Sequence, residues 1–222
     1  MDNNEIRKQM ELEQKRAFCK QSCTKIDQGL DKLDPRSGER AIWELFQNAS
    51  DLALNGYTEI KITLTNDEFI FAHKGKAFTY DTLCSLVKQV SSHDKEDDIK
   101  VGQYGTGFLS THTFGRYITV IGSMQISENP KVYVDVEDFI INRENFDNIP
   151  LFIEDMKNQI LAVDELMNNE QKSEAREWTE LRYRFCDESG NDLREQRIKI
   201  TQTAIDEAIK LMPYVMTFND NI

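Results

Sequence analysis

The chain of 222 residues lacks a long apolar run, and no stretch approaches the roughly 18 apolar residues that span a bilayer. Its N-terminus, from Met1 to Glu5, also lacks the basic and then apolar residues of a secretory signal. These two absences predict a soluble, cytoplasmic protein without a membrane partner. The length and the hydrophobic content of 39% suit one large α/β domain, alone or with a small appendage.

Positive charge is also scarce. The chain has 27 Lys and Arg residues against 39 Asp and Glu residues, which gives a formal net charge of −12. Such a chain does not attract a phosphate backbone by bulk electrostatics. We therefore do not expect this segment to bind nucleic acid directly.

Cysteine is rare, and its four positions are scattered: Cys19, Cys23, Cys84 and Cys186. The first two are four residues apart on a predicted helix, so both could reach one metal ion. However, no Cys-x-x-Cys pair and no neighbouring histidine completes a ligand set. We expect reduced, structural cysteines.

The residues present predict alternating helices and strands. A charged helix over about 5–28 has sparse apolar positions and is expected to pack loosely on the body or on a partner. We therefore treat residues 1–34 as an N-terminal helical segment and 35–222 as the main domain. Strands are predicted at 58–64, 69–71, 117–122, 131–136 and 178–185, and helices at 38–54, 79–90, 108–114, 153–173 and 201–212, the last ending before Pro213.

The helix at 38–54 carries the first candidate site. Glu44, Asn48 and Asp51 lie at positions i, i+4 and i+7, so they share one side, opposite an apolar back. Their oxygen atoms can hold a hard cation such as magnesium, and a carboxylate can activate a water molecule. The alternative is an amphipathic helix whose outer stripe is solvated.

A glycine-rich run forms the second candidate site. Residues 102–108, Gly-Gln-Tyr-Gly-Thr-Gly-Phe, follow the polar loop 91–100 and open a helix. Glycines let backbone amides approach phosphate groups, and a helix N-terminus adds free N–H donors. The run is not a Rossmann turn, because no strand closely precedes it, and it lacks the Gly-Lys-Ser/Thr of a Walker loop.

Taken together, these stretches resemble the GHKL ATPase superfamily, which includes gyrase B, mismatch-repair ATPases, heat-shock chaperones and sensor histidine kinases. Residues 44–51 (Glu-Leu-Phe-Gln-Asn-Ala-Ser-Asp) resemble its E-x-x-x-N-A-x-D motif, and 102–108 its G-x-x-G-x-G-F motif. The turn at 73–78 stands where the family has D-x-G-x-G, and Thr179 is similar to its threonine near adenine. Order and spacing agree over about residues 35–186.

The resemblance implies an α+β fold, a two-layer α/β sandwich (Bergerat fold) in which helices cover one face of a mixed, mostly antiparallel sheet, with a nucleotide lid. It implies ATP and Mg²⁺ as cofactors, with Glu44 as general base and Asn48 as the magnesium ligand. Further nucleotide contacts are implied for Asp51, His73, Gly75, Lys100, Gly102, Gly105, Thr106, Gly107, Phe108 and Thr179. For Lys100 the alternative is an exposed lysine.

Two positions depart from the family pattern. His73 replaces an aspartate that accepts a proton from the adenine amino group, and Ala77 replaces a glycine. A neutral imidazole can also accept a hydrogen bond, whereas imidazolium only donates. These changes resemble the divergent, sacsin-like branch of heat-shock-chaperone-like ATPases. The alternative for His73 is a residue of a surface turn.

The resemblance implies ATP hydrolysis that drives lid closure and homodimerisation through the N-terminal region. The effector domain or partner protein would belong to a chaperone-like, DNA-processing or defence protein, and the tail after Tyr214 is consistent with a longer natural protein. The alternative is an ATP-dependent switch without hydrolysis. A sensor kinase is disfavoured, because those domains usually lack a glutamate at position 44 and carry a basic residue near position 51.

Overall fold

A computed structural model describes residues 17, 19–34, 36–89, 106–186 and 193–218. The helices are α1 (19–30), α2 (Ser37–Asp51), α3 (Tyr80–Lys88), α4 (Thr106–Leu109), α5 (Ile149–Met167) and α6 (Arg194–Phe218), with a 3₁₀ turn at Ser110–Thr113. The strands are β1 (Ile60–Leu64), β2 (Glu68–Lys74), β3 (Tyr117–Glu128), β4 (Lys131–Asn142) and β5 (Trp178–Arg184).

The strands form one sheet in the order β1-β2-β5-β3-β4. All four neighbouring strand pairs are antiparallel, so the α+β class and the mostly antiparallel sheet are confirmed, whereas the described strands include no parallel pair of the kind that a mixed sheet requires. Along β5, Thr179, Leu181 and Tyr183 are buried while their neighbours are half-buried. This alternation places one face of the sheet against the core.

Helix α1 packs more tightly than the sequence predicted. Cys19, Cys23, Ile26 and Leu30 are at most 3% exposed and belong to the main hydrophobic core. The prediction of loose packing is wrong for residues 19–30 because a buried cysteine acts as a small hydrophobic residue. Burial raises the pKa of the Cys23 thiol to about 12. Cys84 is also buried, and Cys186 is half-buried.

Several element boundaries also differ from prediction. Helix α3 begins where expected, because Thr79 and Thr82 form a capping box. Helix α5 begins at Ile149, four residues early, because the Asn148 side chain caps it.

Helix α6 continues through Pro213 to Phe218, so the predicted end before this proline is wrong. Proline removes one backbone donor, and the helix tolerates this loss near its end, where Leu211 and Tyr214 are exposed. No helix of the described part of the chain is long and apolar enough to span a membrane.

Candidate functional site

Helix α2 carries the carboxylates and the amide of the site on one side. Its opposite side is fully packed, with Ile42, Phe46 and Ala49 at most 4% exposed. The side chain of Glu44 is 27% exposed, and Asn48 is only 7% exposed. The alternative of a solvated polar stripe therefore does not hold for Asn48.

Glu44 lies directly against the short helix α4. A Cβ atom added at Gly107 would stand 2.1 Å from Oε2 of Glu44, so any larger residue would displace the carboxylate from this position. The two sequence motifs are thus in contact, although they lie far apart in the chain. Thr106 begins α4, and Phe108, in the same helix, is buried with 1% exposure.

Arg40 also contacts the Glu44 carboxylate, and sequence reasoning missed it. Its Nε and Nη2 donate to Oε1 of Glu44 at 3.4 Å, with the arginine side chain 72% exposed. The spacing of four residues on a helix was the signal that could have found this pair. An exposed pair at this distance contributes little stability, so it holds the carboxylate weakly.

Asn48 and Asp51 carry buried polar atoms without hydrogen-bond partners among the residues that the structure describes: Nδ2 of Asn48 and Oδ2 of Asp51. The other oxygen of Asp51 accepts a 2.8 Å hydrogen bond from Gln47. Burial raises the pKa of Asp51, and the bond from Gln47 opposes this rise. Native proteins seldom bury such groups unsatisfied, so the pair indicates a place for a polar ligand.

These residues fit magnesium as it is bound beside nucleotides. Mg²⁺ there keeps several water molecules and takes only one or two protein ligands besides phosphate oxygens. An amide at Asn48 with Asp51 one turn away meets that demand. Within the described ranges, no three or more His, Cys, Asp or Glu residues are grouped so that they could hold a metal ion. A magnesium ion that is bound mainly by phosphate oxygens and water does not need such a group.

His73 occupies a buried strand position, so the alternative of a surface turn residue is wrong. It is 2% exposed in β2 and lies opposite Thr179 of β5. Its Nδ1 is 3.4 Å from the Lys74 carbonyl oxygen. Burial lowers the pKa of His73, and the Lys74 backbone partly opposes this effect. The imidazole is therefore neutral at pH 7 and keeps one acceptor nitrogen.

The turn after β2 meets the end of α2. The Lys76 amide donates to the Leu52 carbonyl at 2.8 Å, and a Cβ added at Gly75 would stand 2.8 Å from the same oxygen. Glycine is required at position 75 for this close approach. Thr179 is 5% exposed, and its hydroxyl would stand 3.2 Å from a Cβ added at Gly122 in β3.

The predicted site residues thus form two groups along α2. Gly107 lies next to Glu44. Gly75 lies next to the Leu52 carbonyl oxygen, just after the helix, and next to His73. Glu44 and Leu52 are eight positions apart, which is about 12 Å at 1.5 Å per helical residue. Lys100, Gly102 and Gly105 lie outside the described residues.

Neither models of known protein families nor curated proteins match this chain.

Proposed function

We propose that this chain binds ATP with Mg²⁺ and hydrolyses it, and that its sheet and helices form a Bergerat fold. The observation that carries the proposal is the contact of the Glu44 carboxylate with Gly107, one helical turn from Asn48, whose buried Nδ2 has no partner among the described residues and can donate to a phosphate oxygen. A carboxylate, an amide donor and a close approach of backbone thus lie within one small region.

At the phosphate end, Glu44 orients the attacking water and accepts its proton. Asn48 supplies an oxygen ligand for Mg²⁺, and the magnesium ion, when bound, neutralises charge on the phosphate oxygens. The backbone amides of Thr106, Gly107 and Phe108 donate to those oxygens, in the role that the resemblance implies. Gly107 has no side chain, which lets Glu44 approach this backbone closely.

At the other end, His73 and Thr179 bind the base. The Nδ1 atom of His73 faces the Lys74 carbonyl, so a proton on Nδ1 leaves Nε2 as the acceptor. Nε2 then accepts a hydrogen bond from the amino group of adenine. Because burial lowers the pKa of His73, this acceptor persists at neutral pH. Guanine presents a carbonyl oxygen at the corresponding position and lacks the donor that an acceptor requires.

Phosphate release by wild type and by Glu44→Gln tests the catalytic role. Loss of a general base costs typically 10²- to 10⁴-fold, and the amide keeps the shape of the side chain. Glu39→Gln, in the first turn of the same helix, is the matched control and should keep the wild-type rate. Equal rates for wild type and Glu44→Gln, with ATP bound by both, would remove Glu44 from the base role.

The Arg40 contact favours a second candidate, an ATP-dependent switch without hydrolysis. A guanidinium at 3.4 Å competes with water for the Glu44 carboxylate. Tight ATP binding by calorimetry without phosphate release in wild type, with release gained in Arg40→Ala, would support the switch. In both candidates, dimerisation through the N-terminal region and an effector domain or partner protein complete the function.

A further inference from the structure

A buried hydrogen bond joins the end of α3 to the turn after α4. Nε2 of Gln89 and Nε2 of His112 are 2.6 Å apart, and the two residues are 6% and 2% exposed. They stand on either side of residues 90–105 in the chain. The pair is bonded in either orientation of the amide, because the amide nitrogen can donate to the ring and the amide oxygen can accept from it.

The end of α3 is held firmly on its own side. Gln89 adopts a left-handed conformation with φ of 50°, and its backbone N–H donates to the Ser85 carbonyl at 2.7 Å. The fully buried Arg143 donates to the Val87 carbonyl and, at 3.1 Å, to Oε1 of Gln159. Burial lowers the pKa of Arg143 to about 10, so it stays protonated at neutral pH. Gln89 is therefore a fixed anchor.

His112 connects Gln89 to α4 through its contact with Phe108. The rings of His112 and Phe108 meet edge to face, with centroids 6.0 Å apart at 83°. The Ser110 hydroxyl donates to the Gly107 carbonyl, and the Thr111 hydroxyl to the Phe108 carbonyl, each at 2.8 Å. A helix of four residues has little stability of its own, so its position depends on such contacts.

We propose that Gln89 and His112 form a positioning clamp that holds the helical turn with Gly107 and Phe108 against the Glu44 carboxylate. The effect of the clamp on ATP turnover rests on the proposed function, whereas its effect on the position of α4 does not. Neither residue touches the reacting atoms, so both are positioning residues. The clamp acts through Phe108 and Gly107, and its loss lets α4 move relative to α2.

Three substitutions isolate the hydrogen bond. Gln89→Asn tolerates the left-handed backbone but is one methylene too short to reach His112. His112→Leu removes the ring nitrogens, whereas His112→Gln keeps a side-chain amide that can bond to Gln89. Tyr80→Phe is the matched control, because it removes a 2.7 Å hydrogen bond from the other end of α3 to Asp164.

The first measurement is hydrogen exchange of peptides covering residues 106–113 without nucleotide. We expect several-fold faster exchange there in Gln89→Asn and His112→Leu, wild-type exchange in His112→Gln and Tyr80→Phe, and unchanged exchange in β2 and β5 in all four. Unchanged exchange at 106–113 in the first two variants overturns the clamp. Faster exchange throughout the sheet also overturns it, since the effect is then global.

The second measurement is the Kd for ATP and the rate of phosphate release. Misplacement of a phosphate-binding turn by about 1 Å costs on the order of 10- to 100-fold, so we expect losses of this size in Gln89→Asn and His112→Leu and rescue in His112→Gln. Faster exchange without any ATP binding by wild type supports the clamp and contradicts the proposed function. Wild-type turnover in both weakened variants overturns the clamp's effect on Glu44.

Discussion

Replacing Gly107 with alanine places a methyl group against the Glu44 carboxylate. The added carbon would stand 2.1 Å from Oε2, and real Cβ contacts are essentially never shorter than 3.0 Å. The carboxylate must therefore move by about 1 Å, a misplacement that can cost on the order of 10²-fold in rate. The fold absorbs this movement, because the carboxylate ends a flexible side chain and alanine favours a helix over glycine by about 1 kcal/mol.

Steady-state phosphate release at saturating ATP measures the effect, and thermal unfolding measures the fold. We expect about a 100-fold slower rate in Gly107→Ala with a Tm equal to or above that of wild type. Gly38→Ala, in the same helix as Glu44, is the matched control: its Cβ would stand 2.8 Å from Cγ2 of Ile200 and not against the carboxylate, so its rate should be unchanged.

Combination with Glu44→Ala shows whether the effect passes through the carboxylate. If Gly107→Ala acts by displacing Glu44, the double variant has the rate of Glu44→Ala alone. A further loss in the double variant would refute this reasoning, and so would a wild-type rate in Gly107→Ala itself.

Two further predictions concern Asn48 and the buried histidines. In Asn48→Ala the stabilisation by Mg²⁺ and ATP, about 2.7 kcal/mol at 100 times the Kd, should vanish from thermal-shift assays. The Tm without nucleotide should change little, because the lost packing is offset by removal of an unpartnered donor. Burial lowers the pKa of His73 and of His112 in the folded chain, so the unfolded chain binds more protons below about pH 6.5. The free energy of unfolding, from urea titrations, should therefore be constant above about pH 6.5 and fall below it by up to about 1.4 kcal/mol per pH unit for each histidine, with a smaller slope in His112→Gln.

The sequence predicted a helix or strand well where a single hydrophobic period runs through the whole element. Helix α2 follows from the spacing of Ile42, Phe46 and Ala49, all of which are buried. Strands β3 and β4 were predicted to stop at Gly122 and Val136, yet both continue. The pairing shifts register between Val120 and Gly122, where the partners are Phe139 and Val136. A bulge thus carries the ladder past residues that locally indicate a strand end.

The site was predictable only in its residues, not in its contacts. The motif around Glu44 and the motif around Gly107 are visible in the sequence, but their contact depends on how α4 packs against α2. The burial of His73 could not be predicted, because it depends on pairing with β5, about a hundred residues later. The bond of His112 to Gln89 could not be predicted either, since no local pattern indicates it.

The central position of β5 has a consequence for the order of folding. This strand is the last of the five in sequence, yet it lies between β2 and β3 and bonds to both. Until it inserts, the chain holds two separate hairpins, and two-stranded hairpins are marginally stable in water. During synthesis, the edges of β2 and β3 that pair with β5 stay open until residues 178–184 have been made. In this interval the unpaired strands are prone to aggregate. Because Thr179 arrives with β5, its pairing with His73 also forms in that same late step.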